Sequence, residues 1–135
     1  FKVGKAEVFR DGDDVAIIAC GPLVYQSLVA AKELDKEGIK VTVVNNHTIK
    51  PIDEQTLTQV AKKCRAVVTV EEHQTMAGAG SAVAEVLARY QPVPVEFVGM
   101  PNTFGESGAP SELLEKYGMG VKDIKEAVKK VIKRK

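Results

Sequence analysis

VVTVEEHQTMAGAGSAVA, residues 67–84, decides the fold. Val67, Val68 and Val70 form a short apolar run of the kind that fills a central parallel strand with helices on both faces. Glu71, Glu72, His73 and Gln74 then end that run. In parallel α/β sheets ligands and partners are met at the carboxyl ends of strands, so this turn is the first place to look for function. Gly78 and Gly80 open the next element and let backbone come close to a neighbour. Val83, Val86, Leu87 and Tyr90 follow at helical spacing as one apolar stripe.

Moving upstream, residues 15–20 (VAIIAC) are wholly apolar, the mark of a strand covered on both faces. Gly21-Pro22 then places proline at the first position of a helix running to about Glu37, with Val24, Leu28, Ala31 and Leu34 inward and Gly38 as a left-handed cap. Residues 39–45 (IKVTVVN) are β-branched and alternate in their first half, which predicts a strand nearer an edge. Asp53 is placed to cap a helix with the stripe Leu57, Val60, Ala61 and Cys64, and Ile52 can staple against Leu57. Residues 5–10 (KAEVFR) read as an edge strand, and Asp11-Gly12-Asp13-Asp14 as a hairpin turn into the next strand.

Downstream, Pro92 and Pro94 bracket a linker into a last strand at 95–99 (VEFVG). Two short helices should finish the chain. Ser111 caps the first, with Leu113, Leu114 and Tyr117 inward; Asp123 with Glu126 reads as the capping box of the second, whose stripe is Ile124, Ala127, Val128 and Val131. Strands alternating with helices predict a single domain over residues 1–135, a three-layer α/β/α sandwich. If residues 15–20 and 67–70 are neighbours, the winding reverses between them and Gly21 and His73 share one crevice.

Composition narrows the function classes. The 135 residues carry 19 basic and 18 acidic side chains, a net charge of +1, which gives no electrostatic case for nucleic acid or an anionic membrane as partner. No run reaches membrane-spanning length and no signal-peptide pattern is present, so a cytoplasmic location is expected. Cys20 and Cys64 have no paired spacing and suit reduced, buried thiols. The chain opens on Phe1 rather than Met, which suggests a fragment of something longer.

Each chemical constellation has a plainer reading. His73 beside Glu71 and Glu72 could be a carboxylate-oriented acid or base. Without a nucleophile, metal set or cofactor motif, it reads better as a structural or interface histidine. Gly78-Ala79-Gly80 at a helix start resembles a dinucleotide fingerprint, but Val83 stands where the third glycine belongs, so close helix packing is the better account. His47, His73 and the two cysteines show no ligand spacing, and no metal is expected. Ser107 in Gly105-Glu106-Ser107-Gly108 lacks a nucleophile-elbow setting. The lysines of 129–135 read as a solvated helix face.

Four segments together give a more specific reading: GDDVAIIACG (12–21), HTIKPID (47–53), VEEHQTMAGAGSAVAE (70–85) and FGESGAPSELLEKYG (104–118). In this order they resemble the C-terminal domain of the transketolase family of thiamine-diphosphate enzymes over nearly the whole chain. The HTIKPID form is most similar to transketolases, particularly those split into two polypeptides. Related 2-oxoacid dehydrogenase β subunits and deoxyxylulose-phosphate synthases tend to place arginine where His47 stands. The resemblance implies a five-stranded, mostly parallel mixed sheet with its first strand antiparallel and with residues 15–20 beside 67–70. It implies a parent that moves a two-carbon ketol unit between sugar phosphates with thiamine diphosphate and magnesium. Both would be held by the preceding pyrimidine- and diphosphate-binding domains, in a homodimer or heterotetramer.

The diphosphate signature of those domains has an echo in Gly12-Asp13-Asp14 and Asn45-Asn46, which fails because Asp14 replaces the required glycine. Asn102 also departs from the family, which often has aspartate there. This chain is therefore expected to be non-catalytic and to bind no cofactor itself, supporting assembly and the active-site domains. Candidate interdomain residues are Lys50, Asp53, Glu72, His73, Gly78 and Gly80. Within the resemblance the alternative parent is a 2-oxoacid dehydrogenase β subunit or a deoxyxylulose-phosphate synthase; from a different class, the alternative is a free-standing phosphate or nucleotide module at residues 78–81.

Overall fold

The computed structural model of the chain describes residues 6–19, 23–46, 53–72, 79–100 and 120–135. Its strands are β1 (Glu7–Arg10), β2 (Val15–Ala19), β3 (Val41–Asn45), β4 (Val67–Glu72) and β5 (Val95–Met100). They form one sheet in the order β1-β3-β2-β4-β5, with β1 antiparallel to β3 and every other pairing parallel. The helices are α1 (Leu23–Lys36), α2 (Glu54–Cys64), α3 (Ala79–Tyr90) and α4 (Val121–Ile132).

The wholly apolar β2 is central, as a strand needing cover on both faces must be. Val15, Ile17 and Ala19 pack toward α1 and α4, while Ala16 and Ile18 pack toward α2 and α3. These two apolar layers make the three-layer α/β/α sandwich. β2 and β4 are neighbours in register, Ala16 opposite Val67 and Ala19 opposite Val70. The chain passes from β2 to β3 on one side and then crosses to β4 on the other, so the winding reverses between β2 and β4.

Local chemistry sets the helix ends. Asp53 caps α2 by accepting the Thr56 N–H, and Arg65 closes it in the left-handed conformation. Gly38 takes a φ of 85° after α1, the geometry for which glycine carries no steric penalty. The stripe Leu57, Val60, Ala61 and Cys64 is buried throughout.

Four expectations are corrected. β1 does not form a hairpin with β2, because β3 and β4 already occupy both edges of β2; it pairs instead with the outer edge of β3. Glu71 and Glu72 do not end β4 but continue it, opposite Gly99 and Met100 of β5. Tyr90 is 51% exposed: the buried stripe of α3 ends at Leu87, and the ring lies in an open groove with Gln55, Thr58 and Gln59 of α2. Asp123 is not the cap residue of α4. The helix starts at Val121 after Gly120, and Asp123 accepts the Gly120 N–H at 3.3 Å from inside the first turn. The expected helix over 111–118 lies outside the described residues, as do Cys20, Gly21, Ile52 and Ser107.

Candidate functional site at the carboxyl end of the sheet

Where the winding reverses, α3 is drawn onto the end of β4. The Gly80 N–H in the first turn of α3 donates to Glu71 Oε2 at 2.7 Å. A carboxylate there both satisfies an amide that the helix leaves free and opposes the positive end of its dipole. The approach is close. A Cβ on residue 80 would lie 2.9 Å from Thr69 Oγ1, 3.0 Å from Glu71 Oε1 and 3.0 Å from Phe97 Cδ1. Gly80 therefore serves helix-to-strand packing, and Glu71 already occupies the amide that a phosphate would seek.

Asn46 completes this end, its N–H donating to Ala19 O at 2.9 Å. Asn46 and Thr69 are both buried. The cavity among Ile18, Asn46, Thr69, Glu71, Gly80 and Val83 is about 10 Å³, against the several hundred that a small-molecule site requires. Among the described residues, Thr69 Oγ1 and Asn45 Oδ1 are buried without a hydrogen-bond partner. Such atoms are uncommon in folded proteins; Asn45 ends β3, while Thr69 lies inside β4, opposite Ile18 of β2.

Asp53 lies at a second junction. Its Oδ1 accepts the Thr56 N–H at 3.1 Å, and its Oδ2 accepts both the Thr56 hydroxyl at 2.7 Å and the Ala6 N–H at 3.0 Å. The side chain is turned inward and is only 7% exposed. Of the other candidates, Glu72 contributes backbone to β4, while Lys50, His73 and Gly78 lie outside the described residues. Sequence reading singled out Gly80 and Asp53 but missed Thr69, the role of Glu71 and the Ala6 contact. The one local signal was a threonine inside the apolar VVTV run.

Cys64 is fully buried, its thiol donating to Gly12 O at 3.3 Å. Burial pushes that thiol above its ordinary pKa, outweighing the opposing effects of the Thr42 hydroxyl and the Lys63 ammonium. On the α1/α4 flank, Lys125 bridges Glu33 at 3.1 Å and Glu37 at 3.0 Å, and Lys129 meets Glu37 at 2.7 Å. These ammonium groups, Lys129 first, hold the Glu37 carboxyl below its ordinary range. The ladder is exposed and structural. Among the described residues no cluster of His, Cys, Asp and Glu could hold a metal, and no helix is long and apolar enough to cross a membrane.

The strand order and its reversal between β2 and β4 define a doubly wound α/β domain with one antiparallel edge strand. The family described as "Transketolase, C-terminal domain" matches residues 4–124, and the chain belongs to that family. It is 44% identical over all 135 residues to the 6-deoxy-6-sulfo-D-fructose transketolase subunit SqwH of Clostridium sp. (strain MSTE9), of which it covers 42%. It is 41% identical over 128 residues to the 1-deoxy-D-xylulose-5-phosphate synthase of Trichormus variabilis, covering 94% of this chain and 20% of the synthase. Among solved structures, a split gene transketolase described as an inactive beta4 tetramer superposes with a TM-score of 0.87 at 46% identity. That match covers 98% of this chain and 44% of the other. Transketolase from Pichia stipitis shares the fold, with a TM-score of 0.67 at 20% identity over 97% of this chain and 18% of its own. The chain spans less than half the length of each of these relatives.

Proposed function

We propose that this chain is the non-catalytic C-terminal domain of a split-type transketolase, one domain of a longer cytoplasmic enzyme. The parent transfers a two-carbon ketol unit between sugar phosphates. Enzymes of this family use thiamine diphosphate. In this reading that cofactor and magnesium are held by the pyrimidine- and diphosphate-binding domains, and this domain serves dimer or heterotetramer assembly. The observation carrying the reading is the joint likeness to a split-gene transketolase and to a transketolase subunit, both above 40% identity over at least 98% of this chain. Lys50, Asp53, Glu72, His73, Gly78 and Gly80 mark the turns that would face neighbouring domains.

Likeness to deoxyxylulose-phosphate synthases favours a second reading, in which the parent condenses a two-carbon unit from an oxoacid instead. Two measurements test the proposal. Titrating thiamine diphosphate and magnesium into the 135-residue chain should give no heat, and micromolar binding would overturn the non-catalytic assignment. The full parent assembled with its partner polypeptide should convert a ketose phosphate and an aldose phosphate. Consumption of pyruvate in their place would favour the synthase.

A further inference from the structure

Ala6 is the first described residue and is buried, although it precedes an edge strand that pairs only with β3. Its N–H reaches across 47 residues of sequence to Asp53 Oδ2, while Oδ1 of the same carboxylate caps α2. One carboxylate thus ties the start of β1 to the turn that leads into α2. Beyond that tie, Val8 and Phe9 of β1 are 47% and 49% exposed.

We propose that Asp53 is a positioning residue: by fixing Ala6 to the head of α2, it sets the direction from which the preceding part of the parent polypeptide meets the β1 edge. This rests on the reading above, in which more than half of the parent lies outside this chain. A carboxylate suits the task because its two oxygens accept from two separate segments, whereas serine and asparagine each offer a single accepting oxygen. The bond to Ala6 is charge-assisted and buried, conditions that make it strong and local.

The experiment uses the full parent polypeptide assembled with its partners. Asp53→Asn keeps an oxygen for the Thr56 N–H, and asparagine caps helices as well as aspartate does, but its amide nitrogen cannot accept the Ala6 N–H. Hydrogen exchange should rise roughly tenfold over Ala6 and β1 while α2 keeps its protection. The assembly should dissociate at a higher protein concentration than the unsubstituted enzyme does, and turnover should fall with it. Unchanged exchange over β1 would remove the latch. Faster exchange with assembly and turnover intact would remove its positioning role. Asp53→Ser, a good cap too short to reach Ala6, repeats the test; loss of protection across β2 and α2 in both variants would assign Asp53 to fold stability and overturn the proposal. Failure of the unsubstituted parent to transfer ketol units would sink the underlying reading, while the exchange and assembly measurements would still decide whether the latch exists.

Discussion

The two ends of the central strands are built on opposite terms. At the amino end, Thr42 Oγ1 accepts the Gly12 N–H at 2.9 Å and donates back to Gly12 O, which also receives the Cys64 thiol. Lys40 N–H donates to Asp14 Oδ2 at 2.7 Å, and Asp14 N–H to Lys40 O at 2.9 Å. Toward the carboxyl end, Thr69 Oγ1 and Asn45 Oδ1 are buried without partners among the described residues, and Gly80 is pressed against β4. In doubly wound sheets the amino end is where the fold is held and the carboxyl end is where contacts are made. Among the described residues, both buried side-chain atoms without a partner fall on the carboxyl side of that line.

The sharpest break between the ends comes from filling their glycines. A Cβ on residue 12 would stand 2.5 Å from Lys40 C and from Val41 N, backbone atoms of a paired strand that cannot withdraw. Gly12→Ala should therefore cost about 3 kcal/mol. At residue 80 the obstructing atoms belong to side chains rather than backbone, and alanine recovers about 1 kcal/mol of helix propensity, so Gly80→Ala should cost about 1 kcal/mol, less than Gly12→Ala. Urea unfolding of the two variants measures both. Equal losses would erase the distinction between a rigid end and an adaptable one.

The paired threonines sharpen it next. Thr42→Val removes a hydroxyl bonded twice to Gly12 and leaves a buried N–H unpaired, which should destabilise by about 2 kcal/mol. Thr69→Val removes a hydroxyl that has no partner among the described residues and keeps the β-branched shape. Stability should stay within about 0.5 kcal/mol or rise. If Thr69→Val cost as much as Thr42→Val, Thr69 would have to be bonded in solution to something the described residues do not supply.

How far these ends were legible depended on distance along the chain. The central place of β2, the Asp53 cap and the α4 stripe follow from apolar periodicity and a capping residue next to it, signals that lie within one or two turns. The partner of β1 was not legible, because it depends on which sheet edge remains open once β3 and β4 have taken both sides of β2. The bond from Glu71 to Gly80 spans nine residues and the bond from Asp53 to Ala6 spans 47, so no local pattern announces either. Thr69 looks like ordinary strand filler, and only the packing of α3 above it strands its hydroxyl. The family likeness supplied the strand order that periodicity alone could not.

The smallest effect concerns Cys64, the one titratable thiol at the well-partnered end. Burial raises its pKa in the folded chain, since the thiolate would lose its hydration there. Above the ordinary thiol value of about 8.5, the unfolded chain has released this proton while the folded chain still holds it. The folded state then binds more protons, so stability falls as pH rises, by at most about 1.4 kcal/mol per pH unit for one group. Below pH 8 both states are protonated and the contribution is complete. Cys64→Ala loses packing at every pH but lacks this slope. Its deficit against the unsubstituted chain should be constant from pH 6 to 8 and shrink between pH 9 and 10 in urea titrations. A deficit constant throughout would mean that the thiol titrates alike in both states, and that the amino end of the sheet admits water the packing of Gly12, Thr42 and Cys64 is built to exclude.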